Sequence, residues 1–151
     1  MIQTTTSFKG TIRLEHYDKD GTLLRVQQQD NLVVNTGKTL AVQRLGGITA
    51  DAISHIAIGT DNTAAAAAQT ALLAETHRES CTAALATITT ANDSVLFEST
   101  FTFAGSFALV ETGLFNAASS GTMFSRAVFA TVNVTSGQSV VFKWTITGTS
   151  A

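Results

Sequence analysis

Residues 108–129 place the strongest constraint on how this chain can fold. Two apolar runs, 108–115 and 123–129, flank the small polar segment 116–121 (NAASSG). A short polar segment between two β-rich runs predicts a β-hairpin, in which Gly121 supplies the positive φ that a tight turn needs. We therefore expect an antiparallel pair at the centre of the fold, with further strands beside it.

Two other stretches alternate between apolar and polar residues. Val95, Phe97, Ser99, Phe101 and Phe103 share one face of the first stretch, and Val140, Phe142, Trp144 and Ile146 share one face of the second. A period of two is that of a β-strand, and the aromatic face should point into the core. This makes Trp144 a core anchor rather than a binding platform. The predicted core residues are Phe97, Phe101, Phe103, Leu114, Phe129, Phe142 and Trp144.

The first half of the chain predicts a second hairpin. Residues 8–17 alternate, and the turn Asp18-Lys-Asp-Gly21 separates them from a second run, 23–26. Asp-Gly between two such runs is a strong turn signal. Asp-x-Asp-Gly also begins a calcium loop, but the downstream oxygen ligands and the glutamate of that motif are missing. The turn is the better interpretation.

One helix is predicted near residues 36–46. Leu40, Ala41, Arg44 and Leu45 have helical spacing. Asn35 or Thr36 would provide the N-cap, and the glycine pair at 46–47 would end the helix. The following segment, 60–70, reads as a loop that Leu72 and Leu73 would pin onto the sheet, and residues 75–90 read as one strand-like stretch.

The pattern as a whole predicts an all-β protein of about eight strands and one helix. Two antiparallel sheets would bury their aromatic faces against each other, giving an antiparallel β-sandwich that is jelly-roll-like. Alternation does not give strand order, so sandwich and jelly-roll connectivity both remain open. With 151 residues, we expect an N-terminal arm, residues 1–7, and a single sandwich domain, residues 8–151.

Composition narrows the classes of partner. Charged residues make up only 13% of the chain, about half of the usual ~25%. A surface with little charge permits lateral association. Nine scattered Lys and Arg with a net charge of −2 argue against nucleic acid. No apolar run approaches a membrane span, and the start MIQTTTSFKG lacks the features of a signal peptide.

Residue types with catalytic or metal-binding chemistry are few. The three histidines lack metal-type spacing, and His77 and Cys81 would lie ~13 Å apart along a strand. Cys81, the only cysteine, is expected to be a small buried apolar residue. Glu111 lies among apolar residues and should pair with Arg126 on the other strand of the central hairpin. We therefore expect no enzymatic activity, no metal and no cofactor.

Six ordered segments together resemble a known family. The resemblance spans about residues 7–147, and the segments are 31–38 (NLVVNTGK), 53–60 (ISHIAIGT), 70–75 (TALLAE), 110–116 (VETGLFN), 121–129 (GTMFSRAVF) and 143–146 (KWTI). In order and spacing they resemble small structural proteins of tailed bacteriophages. The resemblance implies a β-sandwich virion component without a catalytic motif. The chain departs from the family pattern in its 60–68 loop, where alanines replace an expected proline.

The resemblance implies a function in the virion. We expect a capsid decoration (cement) protein that bridges head subunits, forms a homotrimer, binds the major capsid protein and assembles in the host cytoplasm. A tail, baseplate or fibre-associated protein is the alternative, and a carbohydrate- or receptor-binding module is an alternative of another class. The expected partner-binding residues are Ile2, Gln3, Thr4, Thr5, Thr6, Ser7, Asp61, Asn62 and Thr63.

Overall fold

Residues 6–150 are described by the computed structural model, and they form two antiparallel five-stranded sheets packed as a sandwich. The all-β sandwich with one short helix is thus confirmed. The elements in chain order are β1 (Thr6–Tyr17), β2 (Leu23–Asp30), β3 (Leu32–Val33), α1 (Asn35–Leu45), β4 (His55–Gly59), β5 (Glu75–Ser80), β6 (Thr82–Ala86), β7 (Ser94–Thr102), β8 (Phe107–Phe115), β9 (Met123–Val134) and β10 (Ser139–Ser150).

The structure gives the strand order, which the alternation of apolar and polar residues did not predict. Sheet A has the order β2-β1-β10-β7-β6, and sheet B has the order β3-β9-β8-β4-β5. The pairs β4–β5, β6–β7 and β8–β9 each stay within one sheet, whereas the connections between these pairs cross the sandwich. β1 pairs with β10 along its whole length, from Thr6 opposite Ser150 to Tyr17 opposite Ser139. The first and last strands are therefore neighbours.

The core fills the space between the two inner faces. All seven residues expected there are buried, and Trp144 and Phe142 have no exposed surface. Phe101 and Phe142 meet edge to face with ring centroids 5.7 Å apart, an arrangement that aromatic rings favour. Burying one such side chain stabilises a fold by about 1.5–3 kcal/mol.

The stretch 75–90 is not one strand. It breaks at Cys81, where the chain passes from β5 in sheet B to β6 in sheet A. The Cys81 amide donates a hydrogen bond to the Ser54 carbonyl at 2.8 Å, which fixes the crossing. Cys81 is partly buried against the core rather than fully inside it. Burial raises the pKa of its thiol to about 11, so little thiolate is present at neutral pH.

Helix α1 lies within one residue of its predicted bounds, but two details were wrong. Its N-cap is Val34, which makes no side-chain cap hydrogen bond; the Thr36 hydroxyl instead donates to the Met123 carbonyl at 2.7 Å. Leu40 is buried, whereas Leu45, grouped with it on one face, is 89% exposed. The helix ends as expected, because Gly47 adopts a φ of 66°.

Both predicted hairpin turns are confirmed. Gly21 and Gly121 have φ values of 85° and 73°. In the central turn, the Asn116 side-chain oxygen accepts a hydrogen bond from the Thr122 amide at 2.7 Å. No helix within residues 6–150 is long and apolar enough to cross a membrane.

Candidate partner-binding surfaces

A buried ion pair lies on the outer face of sheet B. Arg126 donates from Nε and Nη2 to Glu111 Oε2, at 3.1 and 2.8 Å. Both side chains are 0% exposed. The pair expected between the two strands of the central hairpin is thus confirmed.

The ion pair organises the segment 60–74, which we call the lid. Glu111 accepts hydrogen bonds from the amides of Asp61, Leu73 and Ala74, at 3.4, 3.2 and 2.8 Å. Arg126 donates to the Thr63 carbonyl at 2.8 Å and, by further bonds, to Gln69 and Asp61. Buried charges are tolerated when such bonds satisfy them. The pair therefore has a structural use, which is to fix the lid over sheet B.

Small residues beneath the lid allow its close approach. A side chain at Gly59 would collide with the Ala74 carbonyl and the Glu111 carboxylate. Leu72 is buried in a second apolar cluster with Val34, Ala57, Phe115 and Met123. Leu73, in contrast, is half exposed, so the expectation that both leucines pin the segment was wrong for Leu73.

The expected partner-binding residues that the structure describes lie in two places, β1 of sheet A and the lid on sheet B. Ile2, Gln3, Thr4 and Thr5 lie outside the described residues. Thr6 and Ser7 belong to β1 in sheet A, and the Ser7 hydroxyl is hydrogen-bonded to the Thr149 hydroxyl at 2.8 Å. Residues 6 and 7, which were assigned to the predicted arm, are therefore part of the sandwich.

The other expected set, Asp61, Asn62 and Thr63, begins the lid on sheet B. The Asp61 carboxylate accepts a hydrogen bond from the Thr63 amide at 2.8 Å. The side chain of Thr63, followed by this amide, lowers the pKa of the carboxyl group. Asn62 and Thr63 are exposed.

One apolar surface was not singled out by the sequence analysis. Helix α1 lies across the end of the sandwich at which β1 begins and β6 ends, and we call this region the helix end. Large hydrophobic side chains are exposed there on both sides of the helix: Phe8, Leu32, Val42, Leu45, Ile48, Leu85 and Ile88.

Two grooves flank the helix at this end. The first has a volume of about 770 Å³ and is lined by Phe8, Leu32 and Val42, with Lys9 and Lys38 among its polar residues. The second has a volume of about 360 Å³ and is almost wholly apolar; Leu40, Ala41, Ala83, Val95 and Phe97 line it, with Arg44 at its side. Two features of the sequence could have indicated this surface. Leu45 and Ile48 flank the glycine pair that ends the helix, and residues 80–92 contain no charged residue.

Charged groups on the outer face of sheet A form hydrogen bonds and ion pairs with one another. Glu15 accepts hydrogen bonds from Tyr17 and from Arg13, and it pairs with Lys143 at 2.9 Å. These contacts lower the pKa of Glu15 from 4.5 to about 2, and the hydrogen bond from Tyr17 contributes most, followed by those from Lys143 and Arg13. The same bond raises the pKa of Tyr17. This cluster ties β1 to β10 across their pairing.

The histidines have separate structural surroundings. His16 is hydrogen-bonded to Gln138 at 3.0 Å and His55 to the Ser54 hydroxyl at 2.8 Å. His77 packs edge to face on Phe107, with centroids 4.7 Å apart. In the described part of the chain, no three His, Cys, Asp or Glu residues come together as a metal-binding group.

Comparisons with protein-family models, with curated proteins and with solved structures found no match. The resemblance to phage structural proteins thus rests on the six sequence segments alone.

Proposed function

We propose that this protein is a non-enzymatic structural protein that acts by binding other protein subunits, and specifically a bacteriophage capsid decoration (cement) protein. The observation that carries the proposal is the helix end. Seven large hydrophobic side chains are exposed on one end of a small molecule. Monomeric soluble proteins rarely expose large contiguous apolar patches, and such patches mark protein–protein or membrane contacts.

The remainder of the surface is consistent with a partner that is a protein. The net charge of −2 offers no basic field for nucleic acid or anionic lipid. The ion-paired lid holds the Thr63 carbonyl through Arg126, which lowers the entropic cost of ordering this part of the lid on binding. In this proposal the helix end contacts the major capsid protein at the outside of the head, and the lid contributes a second contact.

The proposed action is stabilisation of an assembled shell. A ligand that binds only the assembled shell shifts its stability by mass action. Association of the chain with itself would allow one assembly to contact several capsid subunits.

Co-sedimentation with empty heads of the encoding phage tests this proposal. The wild-type protein should sediment with the heads, and the double variant Val42→Ser, Leu45→Ser should bind about tenfold more weakly or worse, because its apolar contact is reduced. Leu23→Ser is the matched control. It also removes a half-exposed leucine, but at the turn of the first hairpin, away from the helix end, and should bind normally.

Failure of the wild-type protein to bind heads would overturn the decoration proposal. Binding to purified tails instead would favour the tail, baseplate or fibre-associated alternative, which would use the same apolar surface. The carbohydrate-binding alternative has less support, because Trp144, the only tryptophan, is fully buried.

A further inference from the structure

Three of the four sheet edges within residues 6–150 carry features that discourage strand pairing. β3 is only two residues long. β5 carries three charged residues, Glu75, Arg78 and Glu79. Short edge strands and charged side chains are devices by which natural proteins block edge-to-edge association.

The third of these edges, β2, carries the charged residues Arg25 and Asp30 and directs polar side chains into its own molecule. Arg25 and Gln27 donate hydrogen bonds to the carbonyls of Thr131 and Ala130, at 3.1 and 2.9 Å. Gln29 donates in the same way to the Val128 carbonyl. These side chains cross the sandwich and donate to carbonyls of β9 that lie beyond its short pairing with β3.

β6 has none of these protections. It pairs with β7 on one side, and its other side is the end of sheet A. Its sequence, TAALA, contains no charge and no proline, and it lies in the uncharged stretch 80–92. Leu85 shares the inner face of the sheet with Val95, its partner on β7, yet it is 68% exposed.

We propose that β6 pairs antiparallel with β6 of a second copy of this chain about a two-fold axis. In the register in which all five residues of both strands pair, Ala84 faces Ala84 of the second copy. Leu85 then faces Ala83 of the second copy. A large side chain thus meets a small one on the inner face, and no like charges are opposed.

A second copy fits this edge for two reasons. Its β6 is itself an unprotected edge, so each strand satisfies the free amides and carbonyls of the other. The pairing also joins the two copies of sheet A into one ten-stranded sheet and covers both exposed Leu85 side chains. A two-fold interface gives an even number of chains, which differs from the trimer expected from the sequence.

This pairing does not depend on the proposed role in a virion. The interface is formed by the free protein, and the head-binding experiment above changes Val42 and Leu45 of helix α1, neither of which belongs to β6. Each proposal can therefore fail without the other.

Sedimentation equilibrium of the full chain over a wide concentration range tests the pairing. The wild-type protein should reach twice the 15.8 kDa mass of one chain. Ala84→Lys places two ammonium groups opposite each other at the two-fold axis, so the dissociation constant should rise by about tenfold or more. Thr100→Lys is the matched control, because it adds the same charge at an exposed position of the neighbouring strand β7 and should leave the dimer intact.

A second measurement keeps the test independent of folding defects. The amides of β6 should exchange with solvent more slowly as protein concentration rises, and this dependence should vanish in Ala84→Lys. A wild-type protein that stays monomeric, or that reaches three times the mass of one chain, would overturn the proposal. So would an Ala84→Lys variant that keeps its circular dichroism spectrum and dimerises as well as the wild type.

Discussion

Glu111 and Arg126 show how single side chains can determine the shape of a surface. Each is fully buried, and together they bind the lid at both of its ends through Asp61, Thr63 and Ala74. Removing one partner of such a pair leaves a buried charge without compensation, which is far more costly than losing an exposed pair.

Arg126→Met should therefore lower the free energy of unfolding by about 3–5 kcal/mol. Arg13→Met removes a half-exposed arginine from the Glu15 cluster and should cost less than about 1 kcal/mol. Urea unfolding of both variants, followed by circular dichroism, measures the difference. Equal losses in the two variants would show that burial of the Glu111 pair does not matter to stability.

The Glu15 cluster predicts a pH dependence of stability. The pKa of Glu15 falls from 4.5 to about 2 on folding, so the unfolded chain binds its proton more tightly than the folded protein does. The stabilisation is complete above about pH 4.5 and is lost as the pH falls towards 2. Glu15→Gln should thus melt below the wild type at pH 7, and the gap should close near pH 2.

Calorimetric melting temperatures between pH 2 and pH 7 give this comparison. Glu79→Gln removes the same charge from the exposed edge strand β5 and serves as the control. A Glu15→Gln variant whose deficit stays constant over the whole range would contradict the linkage.

At the scale of elements, close approach of backbones decides where helix α1 can lie. A Cβ atom on Gly37 would fall well inside the van der Waals distance of the Phe124 carbonyl oxygen. Gly46 follows the same helix and has more space. A Cβ atom on Gly46 would lie 3.5 Å from its nearest neighbour, the Val42 carbonyl oxygen.

Gly37→Ala should consequently destabilise the protein by about 1–3 kcal/mol through overpacking of the helix against β9. Gly46→Ala should change stability little, because its φ of −81° is ordinary for alanine. Thermal melting of the two variants measures this contrast. If Gly37→Ala were as stable as the wild type, the close packing of α1 on β9 would be wrong.

The elements also show what sequence periodicity can and cannot predict. The aromatic faces of β7 and β10 were predictable because each strand is buried on one side only, which imposes a period of two. The crossing at Cys81 was not predictable, because the residues before and after it are both strand-like. The two segments differ only in the strands with which they pair. The loop at 60–70 and its anchor Leu72 were predicted, but the hydrogen bonds from the lid to Glu111 were not, since they join residues 37 to 50 positions apart.

Of the candidate surfaces, the sequence predicted the Glu111–Arg126 pair from an acidic residue within an apolar run. It did not predict the helix end. The exposure of Leu45 and Leu85 depends on which neighbouring elements cover α1 and β6. The periodicity of residues within one element does not predict these neighbours.

For the whole molecule, topology and composition predict the folding kinetics. β1 and β10 must meet from opposite ends of the chain, and such non-local pairing gives folding times of about milliseconds to seconds. The chain contains no proline, so refolding should lack the slow phase of about 10–100 s that proline isomerisation produces at 25 °C.

Stopped-flow refolding at low protein concentration checks this expectation. The control Lys19→Pro introduces one proline into the exposed turn between β1 and β2 and should add a minor slow phase. A slow phase in the wild type that is independent of concentration would show that another isomerisation or a trapped intermediate limits folding.

The pairing of β1 with β10 has a practical consequence for handling the protein. Because Thr6 lies opposite Ser150 and Ser7 and Thr149 line the first groove, a bulky label attached at this end of β1 or β10 would lie beside α1. Such a label would sterically hinder the helix end. A reporter inserted at residues 18–21 would instead project from the opposite end, so that immobilisation for binding measurements would leave the apolar grooves accessible.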